Sequence, residues 1–164
     1  MANKLVMRNE WAAYAEVEGT EGKAYALIGE GFTSLTESKN PREYSRQYVH
    51  EKTERTDVTG YASSLAYTCD TYSEDPVIQH IVKVTDNEYV GTEAQIKVCS
   101  VNKWVTIGGV SGTYEAYERT YAIIPDAKGD GTDALVYSGT LRAVGDSVKG
   151  EFNEETKKFT ASEM

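Results

Sequence analysis

Histidine and cysteine side chains are the first candidates for catalysis or metal binding, and this chain has two of each: His50, His80, Cys69 and Cys99. A zinc site needs ligands clustered at short spacings, and these four residues show no such spacing. Nucleophilic catalysis needs a Ser or Cys beside a histidine, and the sequence places neither there. The pattern therefore predicts two buried, reduced thiols and no catalytic or metal site, with a disulfide between the cysteines as the alternative.

Two glycine-containing stretches match ligand-binding loops only in part. Residues 29–31 (G-E-G) begin a dinucleotide fingerprint, but Ser34 stands where the third glycine is required. Residues 126–133 (D-A-K-G-D-G-T-D) resemble a calcium loop, but Lys128 and Tyr137 occupy the third and twelfth positions, where ligands are needed. We expect no cofactor and no enzyme activity.

The composition indicates one domain of 164 residues with a formal net charge of −9. This charge argues against a nucleic-acid-binding protein, whose affinity comes from Lys and Arg. The negative charge is compatible with a surface along which nucleic acid moves without binding, because acidic groups repel phosphate. No segment approaches the ~18 apolar residues of a membrane helix. The N-terminus lacks a signal-peptide pattern, so we expect folding in the cytoplasm.

Residues 113–124 (T-Y-E-A-Y-E-R-T-Y-A-I-I) alternate like a strand but carry polar side chains on both faces. Neither face reads as a clean apolar core. Such a strand suits a sheet that meets something on each side, such as a neighbouring subunit or an aqueous channel. The pattern favours assembly over a ligand pocket.

Residues 42–57 alternate in their first half and are heavily charged, with balanced signs, in their second. The segment predicts either an exposed loop or a protruding arm, at about residues 40–57, that reaches a neighbouring subunit. The candidate residues of this arm are Tyr44, Arg46, Tyr48, His50, Lys52, Glu54 and Arg55.

The remaining pattern predicts seven to nine strands and one helix. Asp75 followed by Pro76 is a typical helix start, and the apolar spacing predicts a helix at 76–85 that is too short to stand alone. Short turns between strands favour antiparallel pairing. The predicted fold is a mainly β, antiparallel β-sandwich or barrel with one flanking α-helix, formed by a single domain at 1–164. Its predicted strands are 11–18, 23–28, 32–38, 60–72, 93–104, 113–124, 134–143, 147–152 and 158–161, with Pro125 ending the sixth.

The whole chain, from about residue 10 to 160, resembles the major tail tube proteins of siphophage-type tailed bacteriophages and prophages of Gram-positive bacteria. Four segments carry the resemblance: 29–44, 53–61, 75–81 and 145–160. The resemblance implies a phage tail-tube-like β-sandwich with a flanking helix. It also implies that six copies form a ring with a continuous inner β-barrel, and that rings stack into a hollow tube that conducts DNA.

The resemblance further implies partners and a place in the particle. The tube would assemble in the host cytoplasm around a tape-measure protein, meet a tail terminator at one end and distal tail proteins at the other, and reside in the virion tail. The region 40–57 is the best match for the loop that contacts adjoining subunits. Glu16, Glu115 and Glu118 are candidates for the channel lining because each lies in a strand, although an outer, solvated face explains them equally well.

A carbohydrate- or surface-binding β-sandwich module is the alternative reading of the 12 tyrosines. It would use tyrosines together with Trp11 or Trp104 as platforms on which sugar rings stack.

Overall fold

A computed structural model describes residues 3–19, 22–109 and 111–162 of the chain. Within these ranges the protein has ten strands and one α-helix, which confirms the predicted mainly β, antiparallel fold with one flanking helix. In chain order the elements are β1 (Trp11–Gly19), β2 (Gly22–Leu27), β3 (Phe32–Ser38), β4 (Pro41–Arg46), β5 (Arg55–Tyr61), β6 (Ser64–Asp70), α1 (Pro76–Asp86), β7 (Gln95–Thr106), β8 (Thr113–Lys128), β9 (Val136–Asn153) and β10 (Lys158–Ala161).

Eight of these strands form one sheet, in the order β2-β1-β7-β8-β9-β6-β3, with β10 paired to β9. All the pairings are antiparallel. Side chains of β1 near one end of the sheet and of β6 near the other end belong to the same core cluster. The sheet is therefore curled, and its ends close over a shared interior.

The helix begins where local chemistry predicts it. The Asp75 carboxylate accepts hydrogen bonds from the backbone N–H of Val77 (3.0 Å) and of Ile78 (3.1 Å), and Pro76 occupies the first helical position. The apolar stripe of α1 is buried against the sheet, and its members are Val77, Ile78, Ile81 and Val84. None of the described helices is long and apolar enough to cross a membrane.

The sheet has two distinct faces. The helix face packs against α1 and contributes buried side chains such as Ala15, Val98 and Tyr121. The open face lies opposite and holds a smaller buried cluster of Tyr14, Tyr25, Cys99, Val101, Ala116 and Phe152. Cys69 belongs to the helix-face cluster, and both cysteines are buried and free, as the sequence predicted.

Strand β8 mixes polar and buried apolar side chains on each face, with Tyr121 and Ile123 buried on the helix face and Ala116 on the open face. The end of the strand corrects one expectation. Pro125 does not end the strand, which continues to Lys128. The pairing with β9 shifts register between Pro125 and Ala127, and such a bulge tolerates a residue that lacks a backbone N–H.

The two strands predicted at 134–143 and 147–152 are one continuous strand, β9. Gly145 has φ +86°, and the register against β8 shifts between Glu118 and Thr120. A glycine at positive φ supplies the bulge that bends the long strand without ending it.

The strand predicted at 60–72 is divided between two sheets. Tyr61 ends β5, which pairs with β4 in a separate two-stranded sheet, whereas β6 of the main sheet begins at Ser64. Between them the backbone N–H of Ala62 donates to the carbonyls of Lys39 (3.1 Å) and Asn40 (3.2 Å), which closes the base of the hairpin.

Candidate assembly surfaces

The β4–β5 hairpin, residues 41–61, is called the arm below. It forms its own sheet, and the side chains of its strands are nearly all exposed. Its tyrosines present large apolar rings to solvent: Tyr44 is 56% exposed, Tyr48 is 48% exposed and Tyr61 is 62% exposed. Because an isolated two-stranded hairpin is marginally stable in water, this arm gains ordering if a partner covers it.

One face of the arm brings together five of the seven residues that the sequence singled out. The guanidinium of Arg46 lies 4.9 Å from the Tyr44 ring centroid and 5.7 Å from that of Tyr48. Arg55 lies 5.6 Å from the Tyr48 ring, and the ring of His50 stacks on Tyr48 with centroids 6.4 Å apart. These cation–π and stacking contacts hold the aromatic side chains in fixed positions on an exposed surface.

Some of the charges of the arm are paired within the arm. Arg46 pairs with Asp57, and Arg55 Nε donates to Glu51 Oε2 at 2.8 Å. Lys52 and Glu54 lie exposed in the connection between the strands. Residues 41–61 contain four basic residues (Arg42, Arg46, Lys52 and Arg55) and four acidic ones (Glu43, Glu51, Glu54 and Asp57), so the net charge of −9 belongs to the rest of the chain.

Two of the three candidate channel residues share the open face of the sheet. Glu118 accepts a hydrogen bond from the Tyr25 hydroxyl through Oε2, and its Oε1 lies 3.9 Å from Lys97 Nζ. Glu16 lies in register with both Lys97 and Tyr25 on neighbouring strands. Burial raises the pKa of Tyr25, and the hydrogen bond to Glu118 raises it further, so the phenol remains the donor.

Glu115 points to the helix face instead. Its Oε1 accepts hydrogen bonds from Asn102 Nδ2 (3.2 Å) and the Tyr117 hydroxyl (3.3 Å), and its Oε2 lies 3.9 Å from Lys149 Nζ. The structure therefore brings Glu16 and Glu118 to one surface and separates Glu115 from them. Alternation along β8 already separates Glu115 from Glu118, but only the strand pairing shows that Glu16 shares the face of Glu118.

A groove opens on the helix face beyond the end of α1. The helix has 11 residues and so spans about 16 Å, whereas the 16-residue strand β8 is up to about 50 Å long. Part of the face is therefore left uncovered, and the resulting cavity has a volume of about 760 Å³. We call it the arginine groove, and its lining includes Arg8, Trp11, Glu37, Tyr117, Arg119 and Tyr121.

The two arginines of this groove have no carboxylate partner among the described residues. Arg8 donates to the backbone carbonyls of Trp11 (3.0 Å) and Leu35 (3.1 Å), so its charge is held in place but not neutralised. The Nε of Arg119 is buried without a hydrogen-bond partner among the described atoms. Glu37, a carboxylate in the lining, pairs with Lys39. The charged groups that line the groove are three basic residues and one acidic residue, which gives a local excess of two positive charges. They are Arg8, Lys39, Arg119 and Glu37.

The arginine groove was not predicted from the sequence. The feature of the sequence that could have indicated it is Arg119, a charged residue between Tyr117 and Tyr121 in a run of strand-forming residues. Burial raises the pKa of Tyr121, and Glu37 adds to that effect, while Arg119 opposes it. Within the described part of the chain, no group of three His, Cys, Asp or Glu residues could hold a metal ion.

No protein-family model matches this chain, and no curated protein matches its sequence. Among solved structures, the chain is similar to one from the cryo-EM structure of the anti-feeding prophage baseplate, six-fold symmetrised. The two share 11% sequence identity with a TM-score of 0.49, over 91% of this chain and 97% of that one. A likeness at this level shows neither the family nor the function of this protein.

Proposed function

We propose that this protein is a structural component of a phage tail that polymerises with itself and performs no catalysis. In this proposal, copies associate as hexameric rings that stack into a hollow tube, and DNA leaves through the tube. A tape-measure protein, a tail terminator and distal tail proteins are the expected partners, and the virion tail is the expected location.

The observation that carries self-association is the arm. It exposes three tyrosines, of which Tyr44 and Tyr48 are held in place by arginines, and it contributes little to the core of its own chain. Aromatic and arginine side chains in this arrangement are typical of protein interfaces. Because the arm is electrically neutral, it can approach another copy of this acidic protein without charge repulsion.

The finer assignment to a tube draws support from the sheet and from the sequence resemblance. The helix α1 packs on the opposite face, so the open face of the sheet is the one that suits the lining of a channel. Glu16 and Glu118 lie on this face, together with the basic residues Lys97 and Arg142. A lining of mixed sign gives phosphate no continuous basic track to bind.

The competing proposal of a carbohydrate-binding module finds less support. The guanidinium of Arg8 lies 4.9 Å from the Trp11 ring centroid, so one face of that ring is already covered. Trp104 is 45% exposed but does not line the groove that contains Trp11. The two indoles therefore do not form one stacking platform for a sugar chain.

Arm replacement tests the proposal directly. Pro41 and Tyr61 are paired across the base of the arm, so residues 42–60 can be exchanged for an Asn-Gly turn without straining the main sheet. We expect the wild type to form rings or tubes as concentration rises, and the variant to remain a folded monomer. Sedimentation velocity and negative-stain microscopy measure assembly, and circular dichroism measures folding.

A matched pair of point variants separates the arm from general loss of surface tyrosine. Tyr44→Ala with Tyr48→Ala removes two arm rings, whereas Tyr72→Ala removes an exposed ring outside the arm. Assembly should weaken for the arm variant and persist for Tyr72→Ala. A wild type that stays monomeric at all concentrations, or that binds polysaccharide as a monomer, would contradict the proposed function.

A further inference from the structure

The arginine groove calls for an anionic occupant. Arg8 and Arg119 bring two positive charges to the groove and form no ion pair with a carboxylate among the described residues. A carboxylate is the partner that fits a guanidinium best. With a volume of about 760 Å³, the groove can admit a short loop.

A loop of the required charge lies at the tip of the β8–β9 hairpin. Residues 129–135 connect these strands, and Asp130 and Asp133 are exposed there. Neither aspartate makes an ion pair or a side-chain hydrogen bond with the described residues. The nearby Lys128 does not offset them, because its Nζ binds Asp86 at 3.1 Å. The tip therefore presents two free carboxylates.

The tip cannot reach the groove of its own chain. Arg119 and Lys128 both lie on β8, nine residues apart, and a strand of that length holds them roughly 30 Å apart. Contact between the tip and the groove therefore requires two molecules. Because the two surfaces differ, the contact is head-to-tail, and it repeats from one copy to the next until a ring closes or a filament grows.

We propose that the arginine groove binds the β8–β9 tip of a second copy, with Arg8 and Arg119 receiving Asp130 and Asp133. This contact rests on the proposed self-assembly and adds to it a second interface, separate from the arm. It also explains why a strongly acidic protein concentrates unneutralised arginines in one concave surface. The attraction is electrostatic, so it weakens as salt is raised.

Charge reversal at the tip is the first test, because the tip is exposed and its folding is not at risk. Asp130→Lys with Asp133→Lys should weaken association by about tenfold or more, since like charges then face each other across the interface. The matched control compares the single variant Asp133→Lys with Glu155→Lys, an equal charge change in the exposed β9–β10 turn. Sedimentation velocity at low and high salt gives the association constants.

Restoration by the complementary variant is the decisive measurement. Arg119→Glu alone should also weaken association, and Arg119→Glu in the same chain as the lysine tip should recover it. If Arg119→Glu unfolds the chain, Arg8→Glu takes its place in the same design. Mixing the groove variant with the tip variant should restore assembly as an alternating chain, because the wild-type tip then meets the wild-type groove and the lysine tip meets the glutamate groove.

The outcomes separate this inference from the proposed function. A wild type that assembles, together with tip variants that assemble equally well, overturns the groove–tip contact and leaves the arm-based proposal standing. A tip defect that no groove variant restores assigns the aspartates to a different surface and also overturns it. A wild type that never associates overturns both proposals.

Discussion

The arm and the core around α1 use the same residue type in opposite ways. Tyr44 and Tyr48 of the arm are about half exposed, whereas Tyr67, Tyr121 and Tyr137 are buried against the helix face. The core tyrosines have covered rings on both sides, and Tyr137 also donates to Asp86 at 3.1 Å. Tyr44 and Tyr48 instead contact arginines of their own hairpin, and Tyr48 also stacks on His50. The number of tyrosines in a segment therefore does not show whether they belong to a packed core or to an interface. Their role depends on whether another layer of secondary structure covers them.

Removing one aromatic ring from the arm and one from the buried cluster of the open face should give the largest contrast. Phe152 is fully buried, with its ring centroid 4.5 Å from that of Tyr14 and 5.8 Å from that of Tyr25. Phe152→Ala should lower the free energy of unfolding by about 3–5 kcal/mol, because it removes transfer energy and leaves a cavity. Tyr48→Ala should change it by less than about 0.5 kcal/mol, as surface substitutions usually do.

Urea denaturation followed by tryptophan fluorescence measures both values on the monomer. A loss of several kcal/mol for Tyr48→Ala would show that the arm folds as part of the core. The comparison between the two regions would then fail, and the arm could not be regarded as a surface reserved for a partner.

Two aspartates extend the contrast to polar contacts. The Asp75 carboxylate caps α1 at two backbone N–H groups, and loss of such a cap costs about 1 kcal/mol. Asp57 pairs with Arg46 on the exposed arm, where an ion pair contributes about 0–1 kcal/mol. We expect Asp75→Ala to destabilise the monomer clearly and Asp57→Ala to change its stability little.

Asp75→Asn is the control for the cap, because asparagine also accepts hydrogen bonds at this position and should retain most of the stability. Thermal melting of the three variants beside the wild type is sufficient. Equal melting temperatures for Asp75→Ala and Asp75→Asn would contradict the assigned role of the carboxylate.

The sequence predicted those parts of the fold that depend on neighbouring residues. The helix at 76–85 follows from Asp75, Pro76 and a local apolar stripe, and the structure places it at Pro76–Asp86. Alternation within the segment 42–57 also placed Tyr44, Arg46 and Tyr48 on one face, because strand periodicity is a local property.

Features that depend on distant partners were not predicted. Pro125 normally interrupts a strand, and only the bulge formed with β9 lets β8 continue past it. The arginine groove joins Arg8 to Arg119, which are far apart in the sequence, and no local pattern marks such a pair. The placement of Glu16 on the face of Glu118 likewise depends on strand pairing, which side-chain alternation within one strand cannot fix.

The smallest expected effect concerns His80, a half-buried histidine on α1. Burial lowers the pKa of His80 below its usual 6.5; the backbone of Gln95 opposes this shift, Lys83 on α1 adds to it, and Glu18 on β1 opposes it. The Nε2 of His80 is buried and has no hydrogen-bond partner among the described atoms. The folded protein therefore favours the neutral imidazole.

The sign of the pH dependence follows from proton binding. Below about pH 6.5 the unfolded chain takes up a proton at His80 more readily than the folded chain, so stability is lost as the pH falls through this range. Gln at position 80 does not titrate, so His80→Gln should show a shallower loss of stability between about pH 7 and pH 5 than the wild type. Urea denaturation at several pH values measures both slopes. Identical slopes would mean that water reaches His80 in the folded state. The packing of α1 on the sheet would then be loose, and the core around α1 would differ less from the exposed arm.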